Sequence, residues 1–308
     1  MSNPHFIIAG ERRSGSTTLY EILKQHPEVG MFHKSDFDFF IESELFSKTP
    51  VKEENIKNWS ETHPISKYQN LFNDLVGKIG QKDADLLWWK PSHKRLELHL
   101  PETKFIFILR DPIKRAESQY FNELSKGRET LSFKKALLRE EKDDLSDWQK
   151  LHLQYKARGC YAESLKHFYK FIPKHRVKVI ILEELILCWE NVMTDLCNFL
   201  EIDSKIGLTL DKIHSNKEES LVRKRITNRR IIKWFFDLWD RLSEAVIVRI
   251  TKDKDKRFKL RKRYRGFYHT SKRANEQMDQ DLLERLTDYY KPYNRDLEHL
   301  LGYKINYW

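Results

Sequence analysis

The stretch that decides the fold is Gly10-Glu-Arg-Arg-Ser-Gly-Ser-Thr-Thr18, preceded by the apolar run His5-Phe-Ile-Ile-Ala9 and followed by Leu19-Tyr-Glu-Ile-Leu-Lys24. An apolar strand, a glycine-bearing turn and a helix form the context in which such a loop cradles a phosphate. Backbone N–H groups at the turn and the positive end of the helix hold the anion together. The spacing Gly10-x-x-x-x-Gly15 fits the nucleoside-triphosphate template, but Ser16 stands where that template needs a lysine for the β- and γ-phosphates. A hydroxyl cannot neutralise that charge. The cations lie instead inside the turn, at Arg12 and Arg13, which suits a ligand with a short anionic group rather than a magnesium triphosphate.

Working outward, Lys104-Phe-Ile-Phe-Ile-Leu-Arg110 is a continuous apolar run of the kind a parallel sheet requires, and Asp111-Pro112 turns it into a helix through about Ser125. Val177–Leu182 reads as a further buried strand, Val29–Phe32 as a short one, and Asp85-Leu-Leu-Trp-Trp-Lys90 as a strand end closed by Pro91. Residues 41–80 read as polar helical material, and helices are expected over Tyr161–Phe171, Glu190–Leu200 and Asp279–Leu301. Strands alternating with helices imply an α/β fold, a parallel β-sheet flanked by helices, in one domain over 1–308. Ligands of such sheets bind beyond the carboxyl ends of the strands. That rule gathers Arg12–Thr18, Lys90 and Arg110 at one edge.

The second candidate anion site follows the best strand directly, in Arg110-Asp-Pro-Ile-Lys-Arg-Ala-Glu-Ser118-Gln-Tyr120. Arg110 stands at the strand tip and Ser118 two helical turns on, so a guanidinium fork and a hydroxyl can face one phosphate. The bland alternative makes Arg110 and Asp111 a capping ion pair and Ser118 a surface residue.

Composition bounds the class. The chain has 308 residues, 40% of them apolar and 33% charged, with 18 Phe, 13 Tyr and 8 Trp but 10 Gly and 9 Pro, as befits a helix-rich globular protein rather than a disordered one. No stretch of about 18 uncharged apolar residues suggests a membrane span. Gly10–Arg13 interrupts the first apolar run, so no signal-peptide layout is read and a cytoplasmic location is expected. Cys160, Cys188 and Cys197 lack metal-ligand spacing and read as free thiols in a reducing compartment. The net charge of +11 is concentrated: Leu221–Arg273 holds 19 Lys/Arg against 5 Asp/Glu, leaving the remainder at about −3.

Within that segment, Ile231, Trp234, Phe235, Leu238, Trp239, Leu242 and Val246 oppose Lys233, Asp237, Asp240, Arg241 and Glu244 at helical spacing. The 220–275 region therefore reads as a basic amphipathic insertion. Three roles stay open for 229–265: packing on the protein's own sheet or a second copy in a homodimer, contact with a membrane surface, or docking of an anionic polymer. Specific nucleic-acid recognition is not expected, because bulk positive charge gives only salt-sensitive binding and no groove-reading motif is present.

The loop Arg-Ser-Gly-Ser-Thr-Thr paired with Arg-Asp-Pro-x-x-Arg-Ala-x-Ser-x-Tyr resembles the sulfotransferases that use 3′-phosphoadenosine 5′-phosphosulfate (PAPS). The resemblance extends through His26-Pro27, Arg158-Gly-Cys-Tyr161, Val177–Leu182 with Glu183-Glu184, and the tail from Tyr289-Tyr290 to Gly302. It implies a P-loop-like three-layer sandwich, here with a helical elaboration, and transfer of a sulfuryl group to a hydroxyl of a carbohydrate-containing acceptor without a metal. Arg13, Ser14, Gly15, Ser16, Thr17 and Thr18, with Arg12 beside them, match the phosphosulfate cradle; Arg110 and Ser118 match the 3′-phosphate pair. Arg13 would stabilise the leaving 5′-phosphate, as charge stabilisation in group transfer demands.

Relatives commonly place a Glu three residues before a Phe-Phe pair as general base. Asp36 stands three before Phe39-Phe40 here, with Asp38 and His33 as rivals. Lys90 precedes Pro91-Ser92 where relatives show a Lys-Ser/Thr-Pro element, and is read as a second cation near the sulfuryl group; His93 is read as a surface residue. The alternatives are an amine or small-alcohol acceptor, a P-loop kinase, which Ser16 disfavours, and a basic nucleic-acid-binding protein.

Overall fold

The structure is a computed structural model and describes residues 3–32, 39–42, 59, 63–141, 144–211 and 280–308. The general-base candidates His33, Asp36 and Asp38, and the basic 220–275 segment, lie outside the described residues.

The described chain runs β1 (Phe6–Gly10), α1 (Ser16–Leu23), β2 (Val29–Met31), α2 (Ile65–Gln69), β3 (Lys78–Lys82), α3 (Pro91–His99), β4 (Lys104–Leu109) and α4 (Pro112–Ser125). There follow α5 (Phe133–Arg139), α6 (Asp147–His152), α7 (Tyr161–Phe168), β5 (Val177–Ile181), α8 (Leu182–Leu187), α9 (Trp189–Leu200), α10 (Ser204–Thr209) and α11 (Gln280–Leu301). The strands form one five-stranded sheet in the order β2-β3-β1-β4-β5. Every neighbouring pair is parallel. The expected α/β architecture is therefore present.

Successive residues of a strand point to opposite faces, and here both faces are covered. Phe6 and Ile8 of β1 join Ile106 and Ile108 of β4 in one apolar cluster with α1 and α9. Ile7 and Ala9 join Phe105, Phe107 and Leu109 in the other, with α3 and α7. Because β1 and β4 are hydrogen-bonded neighbours, in register from Phe6 opposite Lys104, the loops at their carboxyl ends emerge side by side. The first loop is tied to the second strand by Glu11 N–H donating to the Ile108 carbonyl at 2.9 Å.

Two expectations are corrected. Asp85–Lys90 is not a strand: residues 84–88 form a turn that folds back over the end of β1, with Leu87 N–H donating to the Ala9 carbonyl at 3.0 Å. The third strand lies earlier, at Lys78-Ile-Gly-Gln-Lys82, overlapping the end of the 41–80 stretch read as helical. It carries little apolar signal because polar residues are buried in it. Gln81 is fully buried and receives the Tyr68 hydroxyl, and Gly80 leaves room for the Phe6 ring, which a Cβ would meet at 2.3 Å.

The C-terminal helix α11 packs on α7 and α4. Its contact centres on Gly159, where a Cβ would lie 2.7 Å from the Tyr290 ring and 2.8 Å from Pro112. Tyr290 also donates its hydroxyl to the Lys156 carbonyl at 2.9 Å.

Candidate functional site

The loop between β1 and α1 turns through two left-handed residues, Arg13 (φ 65°) and Gly15 (φ 100°), before α1 begins at Ser16. Gly15 suits this place twice over. It takes a positive φ without a Cβ penalty, and a Cβ there would come within 2.8 Å of Leu182. The turn directs the first N–H groups of α1 out of the sheet edge, where they can meet an anion. Ser14 and Ser16 are buried, Thr17 is exposed and Thr18 half-buried.

The second motif is built as strand tip and helix start. Asp111 caps α4, accepting from Ile113 N–H at 2.8 Å and Lys114 N–H at 3.2 Å, and Pro112 occupies the first helical position. Capping fixes the phase of α4, so Ser118 faces back towards the loop. Arg13 Nε donates to Ser118 Oγ at 3.0 Å, and Arg110 Nη1 reaches the Arg13 carbonyl at 3.4 Å. The two anion motifs thus adjoin. Arg110 forms no ion pair among the described residues, so the capping-pair alternative does not hold: Asp111 pairs with Lys114, at 3.6 Å.

Arg12 has a different setting from Arg13. Its guanidinium pairs with Asp85 and donates to His152 Nδ1 at 2.9 Å. Asp85 in turn accepts from Arg158 at 2.8 Å, and Arg158 also grips Glu11 through its Nε at 2.8 Å and a second nitrogen. Arg158 completes its set by donating to the Leu151 carbonyl at 2.8 Å. Glu11 accepts the Arg12 N–H at 2.7 Å. Glu11, Asp85 and Arg158 are all at most 3% exposed. This network ties the start of the loop to the turn after β3 and to the segment before α7.

Electrostatics differ across the network. Burial raises the Glu11 carboxyl, against the opposing pull of Arg158 and Arg115. Burial also acts on Asp85, yet it has two guanidinium partners, Arg12 and Arg158, which together hold its carboxyl below the usual range. His152 is held neutral, its pKa pushed down to about 3 by burial and then by Arg12 and Arg128.

Lys90 is exposed at the start of α3, and among the described residues it makes no ion pair; its charge bears on His93 and His167. His93 itself is fully buried, a correction of its surface reading. Its Nε2 donates to the carbonyls of Leu86 at 2.9 Å and Leu87 at 3.2 Å, so its Nδ1 accepts from His167 Nδ1–H at 2.8 Å. Burial and then His167 push its pKa down to about 3. It pins the turn that carries Asp85.

Sequence reasoning thus finds Arg13, Arg110 and Ser118, which the fold brings together, and misses the supporting roles of Glu11, Asp85 and His152. In the sequence Arg158 stands out only as part of Arg-Gly-Cys-Tyr161. Among the described residues no cluster of His, Cys, Asp or Glu could hold a metal, and no helix is long and apolar enough to cross a membrane. The three cysteines are free thiols, two buried and Cys188 half-buried.

Comparison with known proteins places the chain in context. It is 26% identical over 212 residues to a bifunctional heparan sulfate N-deacetylase/N-sulfotransferase of Drosophila melanogaster, covering 65% of this chain and 20% of that protein. It is 22% identical over 315 residues to human heparan sulfate glucosamine 3-O-sulfotransferase 3B1, covering 99% of this chain and 65% of that protein. The chain therefore spans from a fifth to just under two thirds of these relatives. The crystal structure of a sulfotransferase from Alicyclobacillus acidocaldarius matches with a TM-score of 0.65 at 22% identity, over 99% of this chain and 98% of that one, which supports the fold. The sequence profile described as the sulfotransferase family matches residues 4–205. That match spans more than half of the 308 residues, and the chain belongs to the sulfotransferase family.

Proposed function

We propose that this enzyme transfers the sulfuryl group of PAPS to a hydroxyl of a carbohydrate-containing acceptor. The observation that carries the donor assignment is the 3.0 Å contact of Arg13 with Ser118, which joins the loop after β1 to the helix after β4 in one continuous cationic edge. An adenylate phosphorylated at both its 3′ and 5′ positions has two anions a few bonds apart, which such an edge can grip at once. The absent lysine at Ser16 agrees with a donor that has no β- or γ-phosphate. The carbohydrate class rests on the heparan sulfate enzymes among the relatives.

In the reaction, the S–O bond to the 5′-phosphate breaks as the acceptor oxygen bonds to sulfur in line, and the acceptor proton passes to a base. Arg13 and the loop amides stabilise the charge that collects on the departing phosphate. Arg110 and Ser118 hold the 3′-phosphate and so set the direction of the donor. Asp36 is assigned as the base, ahead of Asp38 and His33, and Lys90 as a cation on the acceptor side. Calorimetric titration with 3′-phosphoadenosine 5′-phosphate against adenosine 5′-phosphate and ATP tests the donor. The 3′-phosphorylated ligand should bind tightest, and that preference should vanish in Arg110→Ala and shrink in Ser118→Ala; equal affinity for all three ligands in the wild type overturns the reading. Arg13→Ala should fold normally and lose most of its transfer rate.

A further inference from the structure

The peptide unit between Arg110 and Asp111 is held at both of its polar atoms. Its carbonyl accepts the Tyr161 hydroxyl at 2.7 Å, and its N–H donates to Glu183 Oε1 at 3.2 Å. A peptide plane has no internal freedom, so clamping both atoms fixes the torsions on either side of it. One of those torsions aims the Arg110 side chain.

Both clamps are touched by one further side chain. Trp308 donates its indole N–H to the other oxygen of Glu183 at 3.0 Å, and its ring lies 5.8 Å from the Tyr161 ring at 53°. The route to this position is built into the tail. Gly302, at φ 81°, ends α11, Ile305 is buried with its N–H on Glu298 at 2.9 Å, and Tyr307 approaches Cys188. Trp308 thus lies 125 residues from Glu183 and beyond the part of the chain that the family profile covers.

We propose that Trp308 and Glu183 are positioning residues for the second anion site: the tail fixes the Arg110–Asp111 peptide and thereby the aim of Arg110 at the 3′-phosphate. The inference rests on the donor reading above. Without the clamp Arg110 keeps its charge but samples more orientations, so the loss falls on the 3′-phosphate alone.

The readout is the ratio of affinities for 3′-phosphoadenosine 5′-phosphate and adenosine 5′-phosphate, measured by calorimetry on the full chain. Glu183→Ala removes a charged acceptor of two N–H groups and should lower that ratio about tenfold, since hydrogen bonds to charged groups are worth about 1.5–3 kcal/mol. Trp308→Phe keeps an aromatic ring by Tyr161, loses the N–H and the second ring of the indole, and should lower the ratio about fivefold. Tyr303→Phe, which alters the same tail at its contact with Glu184, should leave the ratio unchanged. A merely structural tail would weaken both ligands together. Unchanged ratios in Glu183→Ala and Trp308→Phe, in a wild type that does prefer the 3′-phosphorylated ligand, overturn the positioning role; a wild type with no such preference overturns the donor reading instead.

Discussion

Arg158→Met removes, among the described residues, the guanidinium that hydrogen-bonds the Glu11 carboxyl from within the protein. Arg158 is 1% exposed and donates to Glu11 twice, to Asp85 and to the Leu151 carbonyl. Asp85 keeps Arg12 after the change, whereas Glu11 keeps the Arg12 N–H and the more distant charge of Arg115. Removing one partner of a buried ion pair costs about 3–5 kcal/mol, because the remaining charge is uncompensated. Against a total stability of about 5–15 kcal/mol, the variant should be folded but marginal.

The cost should also depend on pH. Burial already raises the Glu11 carboxyl above its ordinary value, and losing Arg158 raises it further. A carboxyl whose folded pKa lies above its unfolded one favours the fold while protonated, and that advantage is lost as pH rises through the folded pKa. The gap between variant and wild type should therefore narrow as the pH falls towards the ordinary carboxylate range, where Glu11 becomes protonated in both. Urea unfolding at several pH values measures it, and Glu11→Gln combined with Arg158→Met should recover about 2 kcal/mol of the loss. A variant within about 1 kcal/mol of wild type, or a gap that stays constant with pH, would refute the view that Glu11 depends on Arg158.

Gly15→Ala places a Cβ at φ 100°, 2.8 Å from Leu182, and should cost about 1–3 kcal/mol, read as a lowered thermal midpoint together with weaker nucleotide binding. His93 has a folded pKa of about 3 against an ordinary 6.5, so the folded state declines a proton that the unfolded chain accepts, and stability falls as pH drops below about 6.5. Between pH 7.5 and 5.5 the wild type should lose about 1.4 kcal/mol more than His93→Gln, compared by urea midpoints at the two pH values. Ser118→Ala should reduce affinity for 3′-phosphoadenosine 5′-phosphate about fivefold, the value of one ordinary hydrogen bond, with no change in the thermal midpoint. Sulfuryl transfer should continue at full rate in excess EDTA, since the loop carries its countercharge on Arg13; a chelator-sensitive rate restored by magnesium would contradict that.

Legibility followed burial. β1 and β4 could be read because their residues are covered on both faces and so spell continuous apolar runs, as in Lys104–Leu109, and β5, half-buried over Val177–Val179, because it is rich in β-branched residues. β3 could not, because its interior is filled by Gln81 and Lys82 rather than by aliphatics, while the apolar Leu86, Leu87 and Trp89 that suggested a strand line a turn. The anion motifs were readable since each follows its strand within a few residues, and parallel neighbours place such loops side by side. The setting of Arg12 was not. Asp85, His152 and Arg158 come from the turn after β3, from α6 and from the segment before α7, and only the folded sheet brings them to one place. His93 read as a surface residue because nothing local shows that two carbonyls of the preceding turn await its N–H.

The slot at Gly159 has a bearing on how the protein can be cut. The family profile's match ends at residue 205, but Leu282, Leu286 and Tyr290 belong to the same apolar cluster as Ala116, Tyr120, Leu124 and Phe133. A fragment trimmed at residue 205 would leave Ala116, Tyr120, Leu124 and Phe133 facing water around an unfilled notch beside Pro112. Such a fragment should be sticky and poorly soluble, and supplying 280–308 as a separate peptide is the natural way to rescue it. The span of the family profile and the span of what must fold together are, in this enzyme, different lines.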